Sequence, residues 1–183
     1  MNPAEGIPKN IVLIGLMGCG KSTIGRKLQT LLGYPLVDTD QLIEEKAGMA
    51  VAEIFARRGE PYFREVESAV LNELSAPGNP RRIIATGGGI IGRKANRKLL
   101  AQLGYVVWLQ APVDVILQRT GRNRDRPLLQ TENPREKIER LLTERSPLYH
   151  EIADLELETA GLETEEIACG ILESARYHFA AKA

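Results

Sequence analysis

The chain has 183 residues, 43% of them hydrophobic, and 24 Lys+Arg balance 24 Asp+Glu for a formal net charge of zero. That length suits one domain with a sizeable core, and the charge balance argues against a general nucleic-acid binder, which carries a basic excess. Cys19 and Cys169 stand too far apart in sequence to suggest a disulfide framework, and no apolar run reaches the ~20 residues that cross a bilayer. Met1 to Lys9 have neither an apolar core nor an arginine-rich pattern of a targeting segment, so a cytoplasmic protein without a membrane partner is expected. His150 and His178 have no metal-ligand spacing and read as ordinary surface or packing residues.

In chain order, Ile11-Val12-Leu13-Ile14 marks a buried strand over 11–15, and Gly15-Leu16-Met17-Gly18-Cys19-Gly20-Lys21-Ser22 follows directly. That segment matches G-x-x-x-x-G-K-[ST], the phosphate-binding loop (P-loop), and a helix over 22–32 follows it. Glycines let successive backbone N–H groups turn inward around phosphate oxygens, and the helix N-terminus adds positive partial charge. Lys21 is placed to reach the outer phosphates and Ser22 to ligate Mg²⁺. Gly18, Cys19, Gly20, Lys21, Ser22 and Thr23 are therefore the expected nucleotide-binding stretch.

The next strand, 36–38, ends in Asp38-Thr39-Asp40. Asp38 is expected to hold Mg²⁺ directly or through waters, since that ion prefers oxygen ligands and keeps part of its hydration shell. Asp40 is read as the group that accepts from and orients a substrate hydroxyl; the alternative is an N-cap for a helix over 41–47. Helices over 41–47, 51–58 and 60–75 follow with no strand between them, and the span 38–75 reads as a substrate-binding insertion. Arg64, after Pro61-Tyr62-Phe63, offers a planar fork for a carboxylate, although Glu60, Glu67 and Ser68 lie one turn away and allow a plain ion pair.

A third strand, 82–86, runs into Thr86-Gly87-Gly88-Gly89. Three glycines at a strand end allow a ligand close to the backbone. Thr86 stands where a Walker-type carboxylate is expected, a role for which Asp38 is expected to compensate. The pairs Arg81-Arg82, Arg93-Lys94 and Arg97-Lys98 read as solvated faces. After a helix over 93–103, strand 106–110 and helix 113–119, the polar segment 121–133 carries Arg122, Arg124 and Arg126 and reads as a lid. One lid arginine would neutralise charge on the transferring group, and Arg119 would stack on a nucleotide base. A helix over 134–145 ends at Arg145 before Ser146-Pro147-Leu148-Tyr149, and strand 155–158 and helix 163–179 complete the chain. This alternation predicts a doubly wound α/β domain with a parallel sheet and ligands at the carboxyl ends of its strands.

The segments GLMGCGKS, DTD, PYFRE, TGGG, RPLL and ERSPLY, in this order, resemble the shikimate kinase family over essentially the whole chain. The resemblance implies a P-loop kinase with a five-stranded parallel sheet flanked by helices, transferring the γ-phosphoryl of ATP to the 3-hydroxyl of shikimate with Mg²⁺, in aromatic amino-acid biosynthesis. By motif, Lys21 is similar to the phosphate-binding lysine, Ser22 and Asp38 to the Mg²⁺-associated pair, and Asp40 to the residue holding the shikimate hydroxyls. Arg64 and Arg145 resemble the pair gripping the shikimate carboxylate, and Gly87, Gly88 and Gly89 the platform under the substrate. Arg126 resembles the lid arginine and Arg119 the arginine beside adenine. Lys21, Asp40 and Arg126 are thus the expected catalytic residues. A monomer is the simple expectation. Two rivals remain at this point: another small P-loop kinase, such as one for gluconate or nucleoside monophosphates, and an ATP-binding regulatory module without catalysis. The second is disfavoured by the intact set Lys21, Ser22, Asp38, Asp40 and Arg126.

Overall fold

A computed structural model describes residues 9–121 and 133–181. Five strands form one sheet: β1 (Asn10–Ile14), β2 (Leu36–Asp38), β3 (Ile83–Ala85), β4 (Gly104–Gln110) and β5 (Leu155–Glu158). Their order is β2-β3-β1-β4-β5, and every pairing is parallel, with Val12 beside both Ile84 and Val106. The helices are α1 (Lys21–Leu32), α2 (Thr39–Ala47), α3 (Val51–Leu74), α4 (Lys94–Leu103), α5 (Val113–Thr120), α6 (Pro134–His150) and α7 (Thr164–Ala180), with a short 3₁₀ turn at Ile90–Gly92. The α/β architecture, the five strands and the parallel sheet agree with the sequence reading.

Both faces of the sheet are covered, which explains the near-continuous apolar strands. Alternate residues of β1 enter different cores. Ile11 and Leu13 pack with Leu28 of α1 and Ile171 of α7, whereas Val12 and Ile14 pack with Leu71 of α3 and Leu100 of α4. Because β1 is central and the chain moves to opposite sides of it before and after β3, the crevice at its carboxyl end lies at a topological switch point, where doubly wound sheets bind ligands. The P-loop, Asp38-Thr39-Asp40 and Thr86-Gly87-Gly88-Gly89 leave the sheet at this end.

Helix α3 consists of two pieces meeting at Gly59, whose φ of 78° and ψ of 170° are not helical. A side chain there would meet the left-handed penalty that glycine avoids. Pro61 follows within the first turn of the second piece, where a missing N–H costs little. The separate helices expected over 51–58 and 60–75 correspond to these pieces.

Two expectations fail. Helix α6 does not stop at Arg145; it runs through Pro147 to His150. The proline forgoes one helical hydrogen bond, but the added turn buries Tyr149 completely and stacks it on Trp108, ring centroids 5.5 Å apart. Arg97 is not on a solvated face. It is buried, with Nη1 donating to the Ile91 carbonyl at 2.8 Å and Nε pairing with Glu151 at 2.9 Å. It thereby ties α4 to the 3₁₀ turn and to the end of α6.

Candidate active site

Helix α1 starts at a glycine N-cap, Gly20, with φ of 101° and no side-chain cap. A Ser or Asp cap would place its own oxygen on the first N–H groups. Here those donors stay directed at the cleft, where an anion can take them. Lys21 lies back across the loop, Nζ donating to the carbonyls of Gly15 and Leu16, both at 2.8 Å. The loop thus carries its cation inside its own curve. Cys19 differs from its neighbours: its side chain is buried in the core, so only its backbone can face a phosphate.

A cleft of about 450 Å³ opens here, lined by Gly18, Gly20, Lys21, Ser22, Thr23, Asp38, Asp40, Thr86, Gly87, Gly88 and Arg119. Helix α2 begins at Thr39, two residues earlier than the sequence suggested, and its cap is Asp38, whose Oδ1 accepts from the Asp40 N–H at 2.9 Å. The capping alternative raised for Asp40 therefore belongs to Asp38. Thr39, between them, is fully buried and accepts the Gly87 N–H at 3.0 Å, which fixes the β2 end against the glycine loop. Thr86 sits on β1 through its hydroxyl, which donates to the Leu13 carbonyl at 3.0 Å. A Cβ on Gly87 would fall 2.5 Å from Asp40 Oδ1, so the glycine is what lets that carboxylate lie against the loop.

Arg64 and Arg145 do not line this cleft; they meet the same glycine loop from α3 and α6. Arg145 Nη1 donates to the Gly88 carbonyl at 3.0 Å, and the Tyr149 hydroxyl donates to the same oxygen at 2.5 Å. A Cβ on Gly89 would stand 2.6 Å from Arg64 Nη2. Arg64 is also ion-paired, as its neighbours allowed. Nη1 contacts both oxygens of Glu67, at 2.9 and 3.1 Å, and Nε and Nη2 contact Glu60 Oε1, at 3.2 and 3.0 Å. Burial pushes the Glu67 carboxyl above the usual range, against the opposing pull of Arg64. Burial also lowers the Arg64 guanidinium, but the carboxylates of Glu67 and Glu60 outweigh it and the net shift is upward.

Arg119, exposed at the end of α5, donates to the Gly18 carbonyl and to Thr159 Oγ1, both at 3.2 Å. It borders a second hollow of about 180 Å³ behind the P-loop, formed with Thr23, Ile24, Thr159, Leu162 and Ile167. Sequence reasoning missed this contribution of the chain after β5. It also assigned no role to Tyr149 or Thr39, although Tyr149 closes the quoted ERSPLY segment. Arg122, Arg124 and Arg126 and the expected lid lie outside the described residues, save the ends of the lid. The Ser22 hydroxyl and the Asp38 carboxylate share the cleft with Lys21, and Asp38 caps α2 through Oδ1 alone. This oxygen set fits Mg²⁺.

A P-loop on a parallel sheet, with a carboxylate and converging arginines beside it, defines the class of small-molecule P-loop kinases. A family model described as shikimate kinase matches residues 17–176. A shikimate kinase of Halorhodospira halophila is 46% identical over 167 residues, which cover 91% of this chain and 93% of the relative. A solved shikimate kinase from Acinetobacter baumannii in complex with shikimate superposes with a TM-score of 0.85 at 46% identity, covering 90% of this chain and 91% of that one. The Aquifex aeolicus shikimate kinase gives 0.74 at 32% identity, covering 92% and 97%. The chain belongs to the shikimate kinase family.

Proposed function

We propose that the chain transfers the γ-phosphoryl group of ATP to the 3-hydroxyl of shikimate, with the residues named above in the following roles. The observation that carries the reading is the convergence of two arginines, from α3 and α6, on the Gly88–Gly89 loop beside Asp40 and the phosphate-binding loop. Shikimate is a small anionic polyol. Its carboxylate asks for arginines and its hydroxyls for a carboxylate, and both are present next to a triphosphate cradle.

The N–H groups of the P-loop and Lys21 hold the phosphates. Ser22 and Asp38 are the residues that would hold Mg²⁺, which supplies charge neutralisation on the phosphate oxygens when bound. Arg64 and Arg145 grip the shikimate carboxylate. Asp40 accepts a hydrogen bond from the reacting hydroxyl and aims its oxygen at the γ-phosphorus. The hollow bordered by Arg119 and Thr159 takes the adenine ring, with the guanidinium against the base. Arg126 remains assigned by its motif as the residue that closes on the transferring group. Little covalent chemistry is asked of the protein, because alignment and charge compensation supply most of the acceleration in phosphoryl transfer.

No described helix is long and apolar enough to cross a membrane. With the two substrates ATP and shikimate, the reading is completed by a monomeric cytoplasmic enzyme without nucleic-acid partners. Product analysis tests it. With γ-labelled ATP and shikimate, label should appear in shikimate 3-phosphate; label found only in inorganic phosphate would overturn the assignment.

A further inference from the structure

The three edges of the Arg64 guanidinium differ in what holds them. Nη1 contacts both oxygens of Glu67, which is 1% exposed, and abandoning that pair would strand a buried carboxylate. The Nη1–Nη2 edge faces Gly89 too closely for anything to enter between them. The Nε–Nη2 edge is held by a single oxygen of Glu60, at 3.2 and 3.0 Å, from a side chain 62% exposed. This last edge presents two parallel N–H groups, the geometry that a carboxylate takes in bidentate pairing. Glu60 stands directly after the non-helical Gly59, at the start of the second piece of α3, so the chain before it does not lock it into a helical turn.

We propose that Glu60 is a specificity-determining residue of the acceptor site: its carboxylate occupies the Nε–Nη2 edge of Arg64 that the acceptor's carboxylate takes, and binding exchanges one for the other. The inference rests on the reading of Arg64 as a ligand of the acceptor carboxylate. Glu60 sets how strong an anion must be to enter. A neutral polyol cannot displace it, whereas a carboxylate that also meets Arg145 can. An exposed pair of this kind is weak, so the exchange costs the true substrate only a small factor.

The test compares wild type with Glu60→Gln, reading KM for shikimate, KM for ATP, kcat, and the inhibition constant of shikimate carboxamide. Removing the resident anion should lower KM for shikimate by about two- to fivefold. KM for ATP and kcat should not change, and the carboxamide constant should fall by at least as large a factor, because the neutral ligand then meets an edge no anion holds. An unchanged or raised KM for shikimate, or an unchanged carboxamide constant, would overturn the proposal. Arg64→Ala separates the two layers of the argument. It should raise KM for shikimate and leave the carboxamide constant nearly unchanged. If it leaves KM for shikimate unchanged, the reading of Arg64 itself falls, whatever Glu60→Gln does.

Discussion

Gly89→Ala probes the acceptor site through a single added methyl. Gly89 has φ of −96° and ψ of −6°, a conformation open to alanine, so no backbone strain accompanies the change. The new Cβ would stand 2.6 Å from Arg64 Nη2, 2.9 Å from Nη1 and 3.1 Å from Cζ. Restoring ordinary van der Waals contact requires the fork to retreat by about 0.8 Å, starting from the 2.6 Å contact. The fork that must move also holds the buried Glu67 carboxylate through Nη1, so part of that pair is strained and Tm should fall by several degrees while the protein stays folded. The acceptor grip is less tolerant. A displaced fork loses one charge-assisted hydrogen bond to the substrate carboxylate, worth about 1.5–3 kcal/mol. That corresponds to a fall of about ten- to a hundredfold in kcat/KM for shikimate, with KM for ATP unaffected. Steady-state ADP release at saturating Mg–ATP, alongside thermal unfolding, reads both quantities. Wild-type kcat/KM for shikimate in a folded Gly89→Ala protein would refute the placement of Arg64 at the acceptor.

Other substitutions test the remaining parts. Asp40→Asn should keep ATP binding, measured by calorimetry, while kcat falls by about a hundredfold or more; near-normal turnover would remove Asp40 from the mechanism. Tyr149→Phe deletes one donor to the Gly88 carbonyl but leaves Arg145 on it. It should cost about 1 kcal/mol in chemical denaturation and raise KM for shikimate a few-fold. Glu67 makes a pH-dependent contribution to stability. Its folded-state pKa lies above the ordinary glutamate value of 4.5 because burial disfavours the charged form, so between the two values the folded state binds more protons than the unfolded one. Its contribution to stability is therefore largest below 4.5 and is lost as pH rises toward the folded value. Denaturation at a series of pH values should show wild type losing ground to Glu67→Gln across that window; a gap that is constant or moves the other way contradicts the raised value.

The parts of this protein legible in its sequence are those where one residue type answers one local demand. The P-loop glycines, Lys21 and Ser22 have few alternative uses between a buried strand and a helix. The break in α3 was readable because Gly59 and Pro61 both resist a helix interior at that point. What escaped depends on partners distant in sequence. Pro147 suggested a helix end, yet burial of Tyr149 against Trp108 outweighs the lost hydrogen bond. Arg97 looked solvent-facing because its acceptors, Ile91 and Glu151, come from other elements. Asp38 and Asp40 could not be told apart as caps until the start of α2 was known to be Thr39. The hollow beside Arg119 needed α1, α5 and the chain after β5 in one place, and no local pattern announces such a meeting.

The most direct test of the central claim is ADP release by the purified protein with Mg–ATP, compared across shikimate, gluconate, nucleoside monophosphates and no acceptor. The account predicts rapid release with shikimate and only background release otherwise. Release driven by another acceptor, or none with shikimate despite ATP binding, would contradict it.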